Sequence, residues 1–261
     1  AHTGHVNVHE TGAIEATGHK VCTAPSPDGK VSVEMVEAIV ASHSSEHMVH
    51  PRLVYISDTT ETGTVYTKAE LTALRRCCDR HGLLLYLDGA RLGCALTIPG
   101  ADVTLSDLAA LTDVFTIGGT KNGALFGEAV VLNTPCPRFR WHMKQRGAVL
   151  AKGRLLGVQF QALLKDGLYF EMARHANALA SRLREGIAAL GYEFGSDSPS
   201  NQQFPILPNH VVEALEKLGY EFEVDHPVAP QHTCIRLVTS WATPPEAVEG
   251  FLQDLAACRA D

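Results

Sequence analysis

Hydrophobic and polar positions alternate along the first half of the chain in two rhythms. The runs HVNV (5–8), KVCTA (20–24), RLVYIS (52–57), LLLYLD (83–88) and DVFTIG (113–118) are β-branched or almost wholly apolar, and they predict strands. Between them lie segments with apolar residues at helical spacing. VSVEMVEAIVASH (31–43) and SDLAAL (106–111) are two, a Gly- and Ala-rich stretch after HVNV is read as another, and Thr67-x-x-Glu70 has the spacing of a capping box that opens a fourth. Strand and helix in turn predict a mostly parallel sheet covered by helices on both faces. In open sheets of that kind ligands gather beyond the carboxyl ends of the strands, so the residues just after each strand carry the search for function.

From about residue 134 the strand pattern stops. The stretch from Arg138 to Leu190 predicts two or three helices broken at Gly and Asp-Gly. A second unit follows, with strands at QQFPIL (202–207), YEFEV (220–224) and CIRLVTSW (234–241), and a helix near 209–218. A last helix opens at Thr243-Pro-Pro-Glu246, read as an N-cap, a first-turn proline and a capping box. The division expected is a large domain over 1–160 and a small α+β domain over 161–261, with the Ser-rich GSDSPSNQQ (195–203) as a loop and no internal repeat.

Composition narrows the class. At 261 residues, 45% hydrophobic and 20% charged, the chain can build substantial globular cores. A net charge of -7, with no block of like charge, argues against a nucleic-acid surface or a polybasic membrane patch and leaves a small molecule as the expected partner. No apolar run reaches the roughly 20 residues of a membrane span. Seven cysteines, an odd number without zinc spacing, read as reduced thiols in a cytoplasmic protein. The sequence opens without an initiator methionine on a segment that reads as a strand, and upstream residues are expected to belong to the native protein.

Two strand ends carry unusual chemistry. Lys121 follows a buried strand and sits among Gly118, Gly119 and Gly123; taken alone it is an ordinary lysine in a glycine-rich turn. Asp88 ends the apolar LLLYLD run and is followed by Gly89 and Arg91, placing an acid where a structural sheet has no use for one. A pyridoxal 5′-phosphate site needs a lysine to join the cofactor's aldehyde, a carboxylate to keep the ring nitrogen protonated, an aromatic to stack on the ring, and a cation for the substrate carboxylate. Asp88 and Lys121 are 33 residues apart, room for one helix and one strand, so they can project from neighbouring strand ends.

The segments HETGAIEATGHK, ISDTTETGTVYTKAEL, LYLDGARL, FTIGGTKNGALFGEAVV, KQRGAVLAKGRLLG, RHANALA and IRLVTSW together resemble the threonine aldolase and β-eliminating lyase family of pyridoxal phosphate enzymes. The resemblance covers nearly the whole chain, with DGAR and GGTKNG as its most specific motifs. It implies an α/β fold of the aspartate aminotransferase type: a large domain with a mostly parallel mixed sheet, a small α+β C-terminal domain, and a homo-dimer or homo-tetramer with active sites shared between subunits. It further implies that Lys121 joins the cofactor and that Asp88 pairs with its ring nitrogen. Arg91 and Arg236 would then bind the substrate carboxylate, Arg91 also lying against the cofactor, His5 would stack on the ring in competition with His2 and His9, and Thr120 would touch the phosphate. Lys144, Arg146 and Lys152 either reach a phosphate across a subunit interface or form a solvated basic face. Thr60 stands about where some members carry a histidine. Members also have an upstream segment with a phosphate-cupping loop, which this sequence lacks.

The activity implied is retro-aldol cleavage of a threonine-like β-hydroxy-α-amino acid to glycine and an aldehyde. The same scaffold also supports β-elimination, and an inactive subunit or fragment is the non-enzymatic alternative. Two histidine sets, His43 with His47 and His50 and His2 with His5 and His9, have ligand-like spacing, but no cysteine or carboxylate completes either, and no metal is expected.

Overall fold

The structure, a computed structural model, describes residues 1–259. Its first 52 residues depart most from the expected pattern. His5–Val8 is a single helical turn (α1), closed by the His9 N–H donating to the His5 carbonyl, and not a strand. The Gly- and Ala-rich stretch shrinks to a 3-10 turn at Glu15–Thr17. Residues 20–24 are irregular, with the His2 N–H to Ala24 carbonyl bond in place of a ladder. A strand needs a neighbouring edge to satisfy its backbone, and neither run is paired with one. The next helix, Val33–Ser42 (α2), forms as expected with Ser32 as its N-cap.

The central sheet is built on three of the apolar runs expected as strands. Leu53–Ser57 (β1) pairs in parallel with Leu84–Asp88 (β2), and β2 with Val114–Ile117 (β3). Lys68–His81 (α3) crosses from β1 to β2. It starts at the Thr67/Glu70 capping box and ends at Gly82 in the left-handed conformation that glycine tolerates. After β2 come a short turn of helix, Leu92–Ala95 (α4), and Leu105–Leu111 (α5). A fourth strand, Ala129–Leu132 (β4), returns antiparallel against β3 and makes the sheet mixed. The core on this sheet joins Leu71, Leu74 and Cys77 of α3 to Ile56, Leu85, Leu87 and Phe115.

Phe139–Gln145 (α6), Arg154–Leu164 (α7) and the 22-residue Leu168–Ala189 (α8) follow. The second sheet contains Gln202–Gln203 (β5), Ile206–Pro208 (β6), Glu223–Ala229 (β7) and His232–Val238 (β8), all antiparallel to β8. Asn209–Lys217 (α9) and Pro245–Cys258 (α10) cover it. The strand expected at 220–224 lies a few residues later, because β8 fixes its register through pairs such as Glu223↔Arg236 and His226↔Cys234. Thr243 does not cap α10. The consecutive prolines start the helix at Pro245 with Pro244 as N-cap, and the Thr243 hydroxyl instead accepts the Ser240 N–H at 2.9 Å. A second core gathers Leu183 and Ile187 with Leu207, Leu215, Ile235 and Leu255. α8 reaches both cores: Tyr169 lies in the first, Leu179, Leu183 and Ile187 in the second. All seven cysteines are free, and among the described residues no helix is long and apolar enough to cross a membrane.

Candidate active site

Parallel pairing brings the carboxyl ends of β1, β2 and β3 to one edge of the sheet, with Ser57 directly beside Asp88. Just beyond that edge two chain segments touch through glycines. The Gly118 N–H donates to the Gly89 carbonyl at 2.9 Å, and the Gly89 N–H donates to the Thr116 hydroxyl at 2.8 Å. A β-carbon on Gly89 would run into the Thr116 carbonyl, and one on Gly118 into the carbonyls of Gly89 and Ala90. Glycine at both positions therefore sets the Asp88 segment and the Lys121 turn at backbone contact distance.

Tyr169, fully buried at the start of α8, locks that contact from behind. Its hydroxyl donates to the Gly118 carbonyl at 3.0 Å and accepts the Gly93 N–H at 3.1 Å, while the Asn122 amide donates to the Tyr169 carbonyl at 2.8 Å. Tyr169→Phe strands a buried N–H and a buried carbonyl, and the expected loss is about 2 kcal/mol of stability. Urea unfolding checks this, and an unchanged midpoint would show the clamp to be dispensable.

Asp88 is held from two sides. Its Oδ2 accepts the Tyr55 hydroxyl and its Oδ1 accepts the Ala90 N–H at 2.9 Å. The Tyr55 ring stacks on Tyr86, centroids 5.1 Å apart. Burial, and then the Asp88 charge, raise the pKa of both tyrosines, Tyr86 to about 12, so Tyr55 remains a donor at neutral pH.

Lys121 lies in a 3-10 turn, Thr120–Asn122, and its side chain opens to the surface. The turn is pinned by Glu128, whose carboxylate accepts the Gly119 N–H at 2.6 Å and the Thr120 hydroxyl at 3.1 Å. Atoms crowding the ammonium cost it hydration and, with the Arg91 charge, lower its pKa below the ordinary lysine value against the opposing pull of Asp88 and Glu128. Arg91, half-buried, is lowered by burial and by Arg236, with Glu61 and Glu223 among the opposing acids. Arg236 on β8 forms an ion pair with Glu223, and its buried Nε has no partner among the described residues.

His5 approaches the same edge through the loop after β1. Its backbone N–H donates to Glu61 Oε1 at 2.9 Å, an oxygen that also accepts the Ser57 hydroxyl at 2.7 Å. Its ring bonds Glu10 through Nδ1 and leans on His9, centroids 4.8 Å apart. The His2 ring is engaged elsewhere, accepting the Ser26 N–H. Lys144, Arg146 and Lys152 are exposed on and after α6. His43 bonds the Ile39 carbonyl and the Cys22 thiol, while ligand atoms close enough to share an ion occur instead at Glu37, Cys77 and His81 and at Asp225, His226 and Cys234.

The geometry also picks out residues that sequence motifs passed over: Tyr55, Glu61, Glu128, Tyr169 and Asp58. Asp58, directly after β1, is buried with an Oδ1 that has no partner among the described residues, and burial pushes its carboxyl up to about 8, so it is largely protonated at neutral pH. Two of them carried a local signal: Asp58, an acid directly after an apolar strand, and Glu128, a charge just before one.

The family model for beta-eliminating lyases matches residues 1–207. The chain belongs to this family. It is 34% identical over 218 residues to the low specificity L-threonine aldolase of a Pseudomonas species, a match covering 82% of this chain. A second such aldolase, from Pseudomonas aeruginosa, is 33% identical over the same length. The chain spans 63% of the length of these two curated relatives. The solved threonine aldolase of Leishmania major is 48% identical with a TM-score of 0.96, covering 98% of this chain and 75% of that one. The serine palmitoyltransferase of Sphingomonas wittichii, 17% identical with a TM-score of 0.62 over 88% of this chain and 59% of that one, shares the fold.

Proposed function

We propose that this chain is the catalytic part of a pyridoxal phosphate-dependent lyase that cleaves a threonine-like β-hydroxy-α-amino acid to glycine and an aldehyde. One observation carries the reading: Lys121 and Asp88 sit at adjacent strand ends, fixed by the Gly89–Gly118 contact, with the lysine's pKa lowered and the carboxylate oriented by Tyr55 and Ala90 N–H. That donor set fits the cofactor. An amine of lowered pKa suits covalent attachment to an aldehyde, and an anchored carboxylate suits a ring N–H. When bound, the group supplies a conjugated ring that accepts the electron pair freed as the Cα–Cβ bond breaks.

The chain's own residues do the rest. Asp88 holds the ring-nitrogen proton, and Lys121 takes up and returns protons at the substrate amine. Arg91 and Arg236 seat the substrate carboxylate, whose planar shape matches a guanidinium fork. His5 would pack on the ring, and Thr120 would turn its hydroxyl hydrogen from Glu128 to the phosphate. The β-hydroxyl loses its proton as the new carbonyl forms, and a proton delivered to Cα completes glycine.

Assaying products decides between this and β-elimination on the same scaffold: equimolar glycine and aldehyde are expected, whereas ammonia in their place would overturn the aldol reading. We further assign a cytoplasmic homo-oligomer with shared sites. Seven free thiols suit a reducing compartment, and the exposed Leu125 (88%), Trp141 (70%), Leu155 and Val158 are an apolar load that a monomer rarely shows to water. Dilution to monomers is expected to cost cofactor and activity together; sedimentation alongside the assay checks it.

A further inference from the structure

The second sheet presents Arg236 with a carboxylate of its own. Glu223 lies directly opposite Arg236 across the β7–β8 pair, and its Oε2 accepts from the Arg236 Nη2. The guanidinium is only half used, because its Nε is buried without a partner among the described residues. The surroundings are crowded with positive charge. Arg91 and Lys121 both feel Arg236, and Glu223 is among the acids that relieve Arg91.

The strand that carries Glu223 is open to solvent and irregular. All seven residues of β7 are exposed, and among the described residues it pairs only with β8. Its register slips between Val224 and His226 and again between Pro227 and Ala229. The Glu223 side chain is 52% exposed against 25% for Arg236, so it can swing into water at little cost while the arginine stays in place.

We propose that Glu223 is an internal stand-in for the substrate carboxylate, occupying the Arg236 fork in the unliganded protein and leaving it when an amino acid binds. This rests on the reading that Arg236 seats the substrate carboxylate. Glu223 thereby sets specificity as well as affinity. It neutralises one of three neighbouring cations while the site is empty, so simple anions gain less by entering. A ligand must offer a carboxylate aligned for the two-pronged contact to displace it.

Glycine, the smallest α-amino carboxylate, is the probe, titrated into the holoenzyme with side-chain NMR of isotopically labelled arginine and Arg236→Lys to assign the signal. In the unsubstituted protein the Arg236 guanidinium is expected to be restrained before glycine is added. In Glu223→Gln, where a neutral amide oxygen replaces the carboxylate, it should be held less firmly, become more restrained on adding glycine, and bind glycine roughly fivefold more tightly, the scale of a part-exposed ion pair. Glu223→Ala should shift in the same direction. If glycine perturbs Arg236 but binds the variants equally or more weakly, Glu223 positions the arginine and the stand-in role is wrong. If glycine leaves the Arg236 signal unmoved in every protein, the carboxylate seat lies elsewhere and the underlying assignment of Arg236 falls.

Discussion

Replacing Lys121 by alanine is expected to abolish turnover, by on the order of a thousandfold or more, together with the visible absorbance of the lysine-linked cofactor. The fold should not suffer. The Lys121 side chain opens to the surface, and the turn around it is maintained by other groups: Glu128 on Gly119 and Thr120, the Asn122 amide on Tyr169, and the Tyr169 hydroxyl on Gly118. The variant therefore separates chemistry from stability, and its unfolding midpoint should match that of the parent. Borohydride reduction of the loaded parent followed by peptide mapping checks the attachment point directly. A pyridoxyl label on any lysine other than Lys121 would sink the assignment.

Asp88→Asn is the complementary experiment. Asparagine keeps the shape and retains an oxygen for the Ala90 N–H, so cofactor should still bind. Its amide cannot carry the charge that keeps a ring nitrogen protonated, and it points an N–H₂ at the Tyr55 hydroxyl, which must then turn from donor to acceptor. Turnover is expected to drop by roughly 10² to 10⁴, the range found when a proton-holding group is removed. Steady-state rates with the absorbance spectrum as a loading control provide the measurement, and near-normal turnover would remove Asp88 from the chemistry.

The parallel core of the fold was legible because its signals are local. Apolar runs marked β1 to β3, the Thr67/Glu70 box marked the start of α3, and the acid that ends β2 and the lysine that comes after β3 stood out against those runs. HVNV misled because two valines in alternation describe a strand equally well whether or not a neighbouring edge exists, and here the four residues close into a turn fastened by Glu61. The hidden parts of the site are groups brought together from afar. Tyr55 reaches Asp88 across 33 positions of sequence, Tyr169 reaches Gly118 across 51, and a single polar letter in each run gives no hint of the partner. Glu223 was invisible for the same reason, since only the β7–β8 register sets it opposite Arg236.

Helix α8 ties these places into one mechanical object. A rigid rod of 22 residues is roughly 33 Å long. Near one end Tyr169 grips the glycine junction beneath Lys121, and farther along Leu183 and Ile187 are embedded in the core behind the strand that carries Arg236. Between them the Thr239 hydroxyl, three residues beyond Arg236, donates to the Ala176 carbonyl at 2.7 Å. A lever anchored in this way cannot tilt at one end without moving the other. The two cores should therefore melt as a single cooperative unit, and any rocking of the second sheet over a bound amino acid would be felt as torque on the lysine turn.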